Sequence, residues 1–194
     1  IDEFIPQNFM NTVLDSNKIT GKYILVTALA VLFSWILHEF AHWTAGNLLD
    51  YNMGMSLNKS LPLNGVFKSD KDYQLVSAAG PAITLLQALL VFFLMKKEKT
   101  NRLYPFLFTC FYMRLFATVI SFRHLNDEAR ISNSLAIGAF TLPIIVTAIL
   151  LLLVYKISVN KNFTLRFNLL TLGLIILFSS IIILADQFLT IRLL

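Results

Sequence analysis

The chain has 194 residues, 57% of them hydrophobic and only 14% charged, with 17 Phe; this composition excludes a soluble domain and predicts an all-α polytopic membrane protein. A formal charge of +5 would suit a nucleic-acid partner, but the Lys and Arg residues fall in short loops between apolar stretches, as membrane topology requires, and that reading is set aside. The one cysteine, Cys110, sits in an apolar run, excludes an intrachain disulfide and reads as a small buried hydrophobe.

The chain opens at Ile1 with no Met, which leaves open whether residues precede it, and no signal-peptide pattern is visible. Residues 1–21 mix Ile1, Phe4, Ile5, Phe9 and Met10 with Asp2, Glu3, Asp15 and Lys18, which predicts an interfacial lead-in. The first span is predicted over residues 22–49. Its uncharged stretch 24–37 runs into His38-Glu39-Phe40-Ala41-His42, an HExxH pattern. Two histidines four residues apart project from one helical face, so both imidazoles can hold one metal while Glu39 addresses the position left open. That is the layout of a zinc hydrolase. On a soluble helix the pattern also arises by chance with its side chains in solvent. At membrane depth three ionisable groups are costly unless paired or metal-bound, which turns the pattern into a site. At about 1.5 Å per residue His38 lies roughly 24 Å beyond Lys22, near the end where the span exits, here side B, and away from its entry, side A.

Residues 50–73 are polar and broken by Gly54, Pro62 and Asn64-Gly65. Asn-Gly between short, partly apolar runs predicts a small membrane-surface β-hairpin on side B, with an irregular loop as the alternative. An exposed strand edge there would let an extended substrate pair with it. The second span, residues 74–95, opens with Ser77-Ala78-Ala79-Gly80-Pro81-Ala82, small residues that admit another helix closely; packing and function account for them equally. Lys96, Lys97, Glu98, Lys99 and Arg102 form a basic turn on side A. The third span, residues 103–122, carries Arg114 at mid-depth, which calls for a carboxylate partner in the bundle and a structural role. Residues 123–134 emerge on side B. The fourth span covers residues 135–155 and the fifth 167–190, with Asp186 in its last turn on side B. Nothing repeats and no linker divides the chain, so residues 1–194 read as one domain of about five spans.

A catalytic zinc needs a third protein ligand and an open position for water. Glu98 lies on side A, which leaves His124, Asp127, Glu128 and Asp186. A carboxylate fits, because two histidines and one carboxylate leave the zinc enough charge to acidify its water. Asp127 and Glu128 are adjacent and point in different directions, so one zinc takes only one of them.

HEFAH at the end of a first apolar helix, SAAGPAITLLQALL opening the next and an acidic NDEARIS after the third together resemble the site-2 protease family of intramembrane zinc metalloproteases, over about residues 22–140. In that family a later Leu-Asp-Gly segment, often followed two residues on by Arg, supplies the third ligand. Laid on that pattern, Asn126-Asp127-Glu128-Ala129-Arg130 puts Asp127 at the ligand position. Asn126 stands where the family has Leu, Glu128 where it has Gly, and the upstream Asn-Pro element is absent, which keeps Glu128 as the alternative ligand. One zinc per chain, held by His38, His42 and Asp127, is expected, with Glu39 taking a proton from the water and passing it to the leaving amine. The resemblance implies a membrane-spanning protein or peptide as substrate, unwound locally within the lipid bilayer. Asn126 and Arg130 are then expected at a substrate carbonyl or oxyanion, a segment cap or a surface charge being the alternatives.

A di-iron oxygenase needs several histidine boxes, and this chain has 3 His in all. A transporter would line a route through the membrane with polar groups, whereas these cluster on one side. A catalytically silent homologue acting as a binding or chaperone module would carry the same ligands and stands as the alternative.

Overall fold

The computed structural model describes residues 17–97, 100–189 and 192–194. Residues 1–16 of the expected lead-in and the position of Glu98 lie outside them. Along the described chain run α1 (Gly21–Leu48), β1 (Met53–Met55), β2 (Ser60–Pro62), α2 (Asp70–Lys97), α3 (Tyr104–Ile120), α4 (Asp127–Ser134), α5 (Thr141–Asn160) and α6 (Leu165–Leu189). Four helices, α1, α2, α5 and α6, are long and apolar enough to cross a membrane; α3 is apolar but only 17 residues long.

The helix α1 starts where Thr20 Oγ1 accepts the Tyr23 N–H at 3.2 Å. It ends where Asp50 turns left-handed (φ 60°) and the Tyr51 N–H reaches back to the Gly46 carbonyl at 3.1 Å. Its apolar residues surround it on all sides, so apolarity alone does not choose the buried face. The inward stripe is Thr27, Ala30, Val31, Ser34, Trp35, His38, Glu39 and His42, while Leu25, Leu29 and Phe33 face outward. On α6 the matching stripe is Phe167, Thr171, Ile175, Ser179 and Ile182. Its hydroxyls meet α1: Thr171 with Tyr23 at 2.9 Å, and Ser179 with the Trp35 indole N–H at 3.3 Å. Such bonds contribute roughly 0.6 kcal/mol each between membrane helices, so packing carries most of the adhesion.

The centre of the bundle is α3, almost wholly buried from Tyr104 to Arg114 and packed against α1, α2, α5 and α6. Tyr23, Tyr104, Phe163 and Phe167 interlock at one end, with ring centroids 4.7 to 6.0 Å apart. The opposite end is where α3 stops early and α4 turns back toward α1. That short helix precedes the expected fourth span, and a turn through residues 135–140 with Ala136 and Gly138 left-handed follows it, so α5 starts at Thr141 and not at residue 135.

A two-stranded antiparallel sheet follows α1, pairing Met53 with Pro62, Gly54 with Leu61 and Met55 with Ser60. Its loop is 56–59, closed by the Ser56 N–H on the Lys59 carbonyl at 2.8 Å, and not Asn64-Gly65. Asn64-Gly65 instead makes the next turn, with the Gly65 N–H on the Pro62 carbonyl at 2.8 Å and Gly65 left-handed (φ 74°). The observed register wins because it points Met53 and Met55, each 4% exposed, to one face under α1. Met53 lies so close to Gly46 that a Cβ there would overlap it. The hairpin is held from three sides: the Trp43 indole on the Met53 carbonyl (3.0 Å), Asp186 Oδ1 on the Leu57 N–H (2.9 Å) and Leu193–Leu194 along the outer edge of β1.

Candidate metal centre

His38, Glu39 and His42 leave the last turns of α1 fully inside the bundle, at 5, 6 and 7% exposure. Both imidazoles are oriented by α2. The Nδ1 of His42 lies 2.7 Å from the Val76 carbonyl, a partner that can only accept, so the proton sits on Nδ1 and Nε2 keeps its lone pair. The Nδ1 of His38 lies 3.1 Å from Thr84 Oγ1, whose own proton goes to the Gly80 carbonyl at 2.9 Å. That hydroxyl is therefore an acceptor too, and His38 Nε2 is likewise left as a lone-pair donor. The two Nε2 atoms stand 3.1 Å apart.

The third donor comes from α4. Asp127 Oδ2 lies 3.4 Å from each Nε2, so the three atoms make a triangle of 3.1, 3.4 and 3.4 Å. A tetrahedral ion with ligands at about 2.0 to 2.1 Å has ligand–ligand edges of roughly 3.3 Å. The donor set thus fits a single metal ion, and among the described residues it is the one such group of His, Cys, Asp and Glu. Gly80 makes room for it: a Cβ at this position would overlap the imidazoles of both His38 and His42. The small-residue run at the start of the second apolar helix therefore includes one position that the histidines themselves require to be bare.

Asp127 divides its oxygens between two tasks. Oδ2 completes the triangle, while Oδ1 accepts from Arg130 Nη2 at 2.6 Å. Arg130 is clamped in turn by Ser77 Oγ (3.0 and 3.2 Å) and the Leu125 carbonyl (3.0 Å), and it lies over the Tyr73 ring. Asn126 ties the start of α4 to the end of α3, its Nδ2 on the Ala117 carbonyl (3.1 Å) and its N–H on Ser121 Oγ (3.3 Å). Both Asn126 and Arg130 also line the cavity beside the triangle.

Glu128, one residue on, turns away from the histidines and meets Arg114 Nη1 at 3.0 Å. It is the carboxylate that a mid-span arginine calls for. Asp186 serves the hairpin, and His124 is exposed. No family model, curated protein or solved structure gives a significant match to the chain. Geometry therefore carries the reading of the site.

A cavity of about 580 Å³ opens on the triangle. Glu39 lines it beside the donors, and the hairpin forms one wall through Ser60 and Leu61; Ser60 Oγ also donates to the Glu39 carbonyl at 2.9 Å. Hydrogen-bonded pairing of 52 with 63 and of 56 with 59 means, by antiparallel alternation, that Ser60 and Pro62 turn their backbone groups away from β1. Trp35, Met113, Phe116 and Ile183 make the apolar side. Residues that the motif alone did not reveal are Ser77, Gly80, Thr84 and Arg114. Ser77 and Gly80, within a run of small residues, and Arg114, an arginine inside an apolar stretch, left a visible trace in the sequence; Thr84 did not.

Proposed function

We propose that this protein is an integral-membrane zinc metalloprotease that hydrolyses a peptide bond in or near a membrane-spanning segment of its substrate. The observation that carries the reading is the triangle of His38 Nε2, His42 Nε2 and Asp127 Oδ2, with edges of 3.1 to 3.4 Å, beside Glu39 at the end of an apolar helix. Zinc held by these three residues supplies a Lewis acid and a water whose pKa falls to about 7.

The protein's own groups supply the rest. Glu39 takes the proton of the attacking water on its carboxylate and returns it to the departing amine nitrogen, so one residue serves as base and then acid. Thr84 and the Val76 carbonyl keep the imidazoles from rotating, and Arg130 keeps Asp127 from swinging out. A scissile amide within a helix is hidden by its own hydrogen bonds, so the substrate has to be extended locally. The edge of β2 offers Ser60 backbone groups to such a segment, and the apolar wall at Trp35, Met113 and Phe116 accepts its side chains.

The test is cleavage of a membrane-spanning peptide by the purified protein in detergent or vesicles, abolished by a chelator and restored by zinc. Zinc-loaded protein that binds such a peptide without cleaving it would assign the binding-module role instead.

A further inference from the structure

Arg114 faces more than one partner. It lies on α3, is 4% exposed, and meets groups from two other helices. Nη1 is 3.0 Å from Glu128 Oε1 and 3.8 Å from Asp127 Oδ2, both on α4, and Nη2 is 3.4 and 3.5 Å from the ring nitrogens of His38 on α1. Its Nε is buried with no hydrogen-bond partner among the described residues. A guanidinium is thus kept beside the metal-site donors even though one of its N–H groups goes unsatisfied there.

The reason lies in α4. Eight residues are too few for a helix to hold itself in place, and its N-cap, Asn126, makes no side-chain cap. Its direction therefore comes from outside. On a helix successive side chains diverge by about 100°. Fixing Glu128 against α3 consequently fixes the rotation of α4 about its own axis, and with it the direction of Asp127. Asn126 and Arg130 secure α4 through part-buried contacts. Among the described residues, the Arg114–Glu128 ion pair is the one on α4 with both side chains below 10% exposure, at 4% and 6%, so a rotated α4 would strand an unpaired buried charge there.

We propose that the Arg114–Glu128 pair is the mount that sets the rotation of α4, which makes Arg114 a positioning residue for the ligand Asp127. The proposal rests on the reading of His38, His42 and Asp127 as a metal site. It gives the arginine a task beyond holding helices together: metal affinity depends on the pair even where the fold does not.

Cobalt(II) titration of the purified full chain in detergent tests this, because visible absorption reports both affinity and ligand set. Thermal unfolding is measured alongside. The proteins compared are wild type, Glu128→Gln, Arg114→Lys, Asp127→Ala and the double variant Arg114→Met/Glu128→Leu. Replacing a buried ion pair by apolar side chains of similar size leaves folding close to neutral. The double variant should therefore melt near the wild-type temperature, yet bind cobalt 10- to 100-fold more weakly, as loss of groups that orient a ligand does. Its spectrum should move toward that of Asp127→Ala. Glu128→Gln should weaken cobalt at least tenfold, and Arg114→Lys should fall between it and wild type. Wild-type affinity and spectrum in the double variant, or in Glu128→Gln, overturn the proposal. Should the double variant not fold, Glu128→Gln and Arg114→Lys decide by the same criterion. Wild-type protein that takes up no cobalt removes the metal centre and the proposal together, whereas wild-type uptake with unchanged variants removes the proposal alone.

Discussion

Glu39 is buried at 6% exposure between His38 and His42 and lines the cavity beside the donors. Replacing it by Gln keeps the shape and the hydrogen-bonding capacity but removes the ability to accept a proton. Glu39→Gln should therefore retain one zinc per chain by elemental analysis and lose peptide cleavage by about 100-fold or more; near-wild-type turnover would show that Glu39 is not the base. Asp127→Ala deletes Oδ2 from the triangle and should drop zinc occupancy far below one, whereas Asp186→Ala removes only a hairpin contact and should keep the metal. Reversal of that order would move the third ligand to α6. Gly80→Ala puts a methyl group where two imidazoles stand. Overpacking of this kind costs about 1 to 3 kcal/mol, and here the strain falls on the histidines, so a lower melting temperature should come with weakened zinc binding.

Among the elements, the hairpin and α4 both owe their positions to other parts of the chain. The two strands are three residues each, too short to be stable alone, and are held by Met53 beneath α1 and by Asp186 on the Leu57 N–H. Removing Asp186 should free the 56–59 loop without touching the donors. For Asp186→Ala we expect faster proteolytic nicking in that loop and a raised KM, with kcat changed little, since on the proposed reading the hairpin binds substrate and performs no chemistry. An unchanged KM would separate the hairpin from substrate binding. The early end of α3 is the counterpart of α4: with only 17 residues, about 26 Å, it leaves space at the site end for α4 to reach inward.

For the whole molecule, a metal at this centre would tie α1 to α4, two elements far apart in the chain. A ligand that binds only the folded state at 1,000 times its Kd stabilises by about 4 kcal/mol, so chelation should lower the melting temperature measurably and added zinc should restore it. An unmoved transition would mean that no resident metal links these helices. Four helices of spanning length, with large apolar side chains such as Leu25, Phe33, Leu90 and Leu177 facing outward, should also keep the protein in the membrane fraction through alkaline extraction. By itself the sequence determined what repeats locally: the long apolar helices, a four-residue spacing that sets His38 and His42 on one face, and the need of Arg114 for a carboxylate. Those follow from helix geometry and the cost of burying charge, both legible within a few residues. Tertiary structure alone decided which neighbour takes which partner, sending Asp127 to the histidines and Glu128 to Arg114, moving the hairpin turn off Asn64-Gly65 and making Gly80 indispensable. Each of these depends on how one helix is rotated or spaced against another, and that rotation comes from contacts between residues dozens of positions apart.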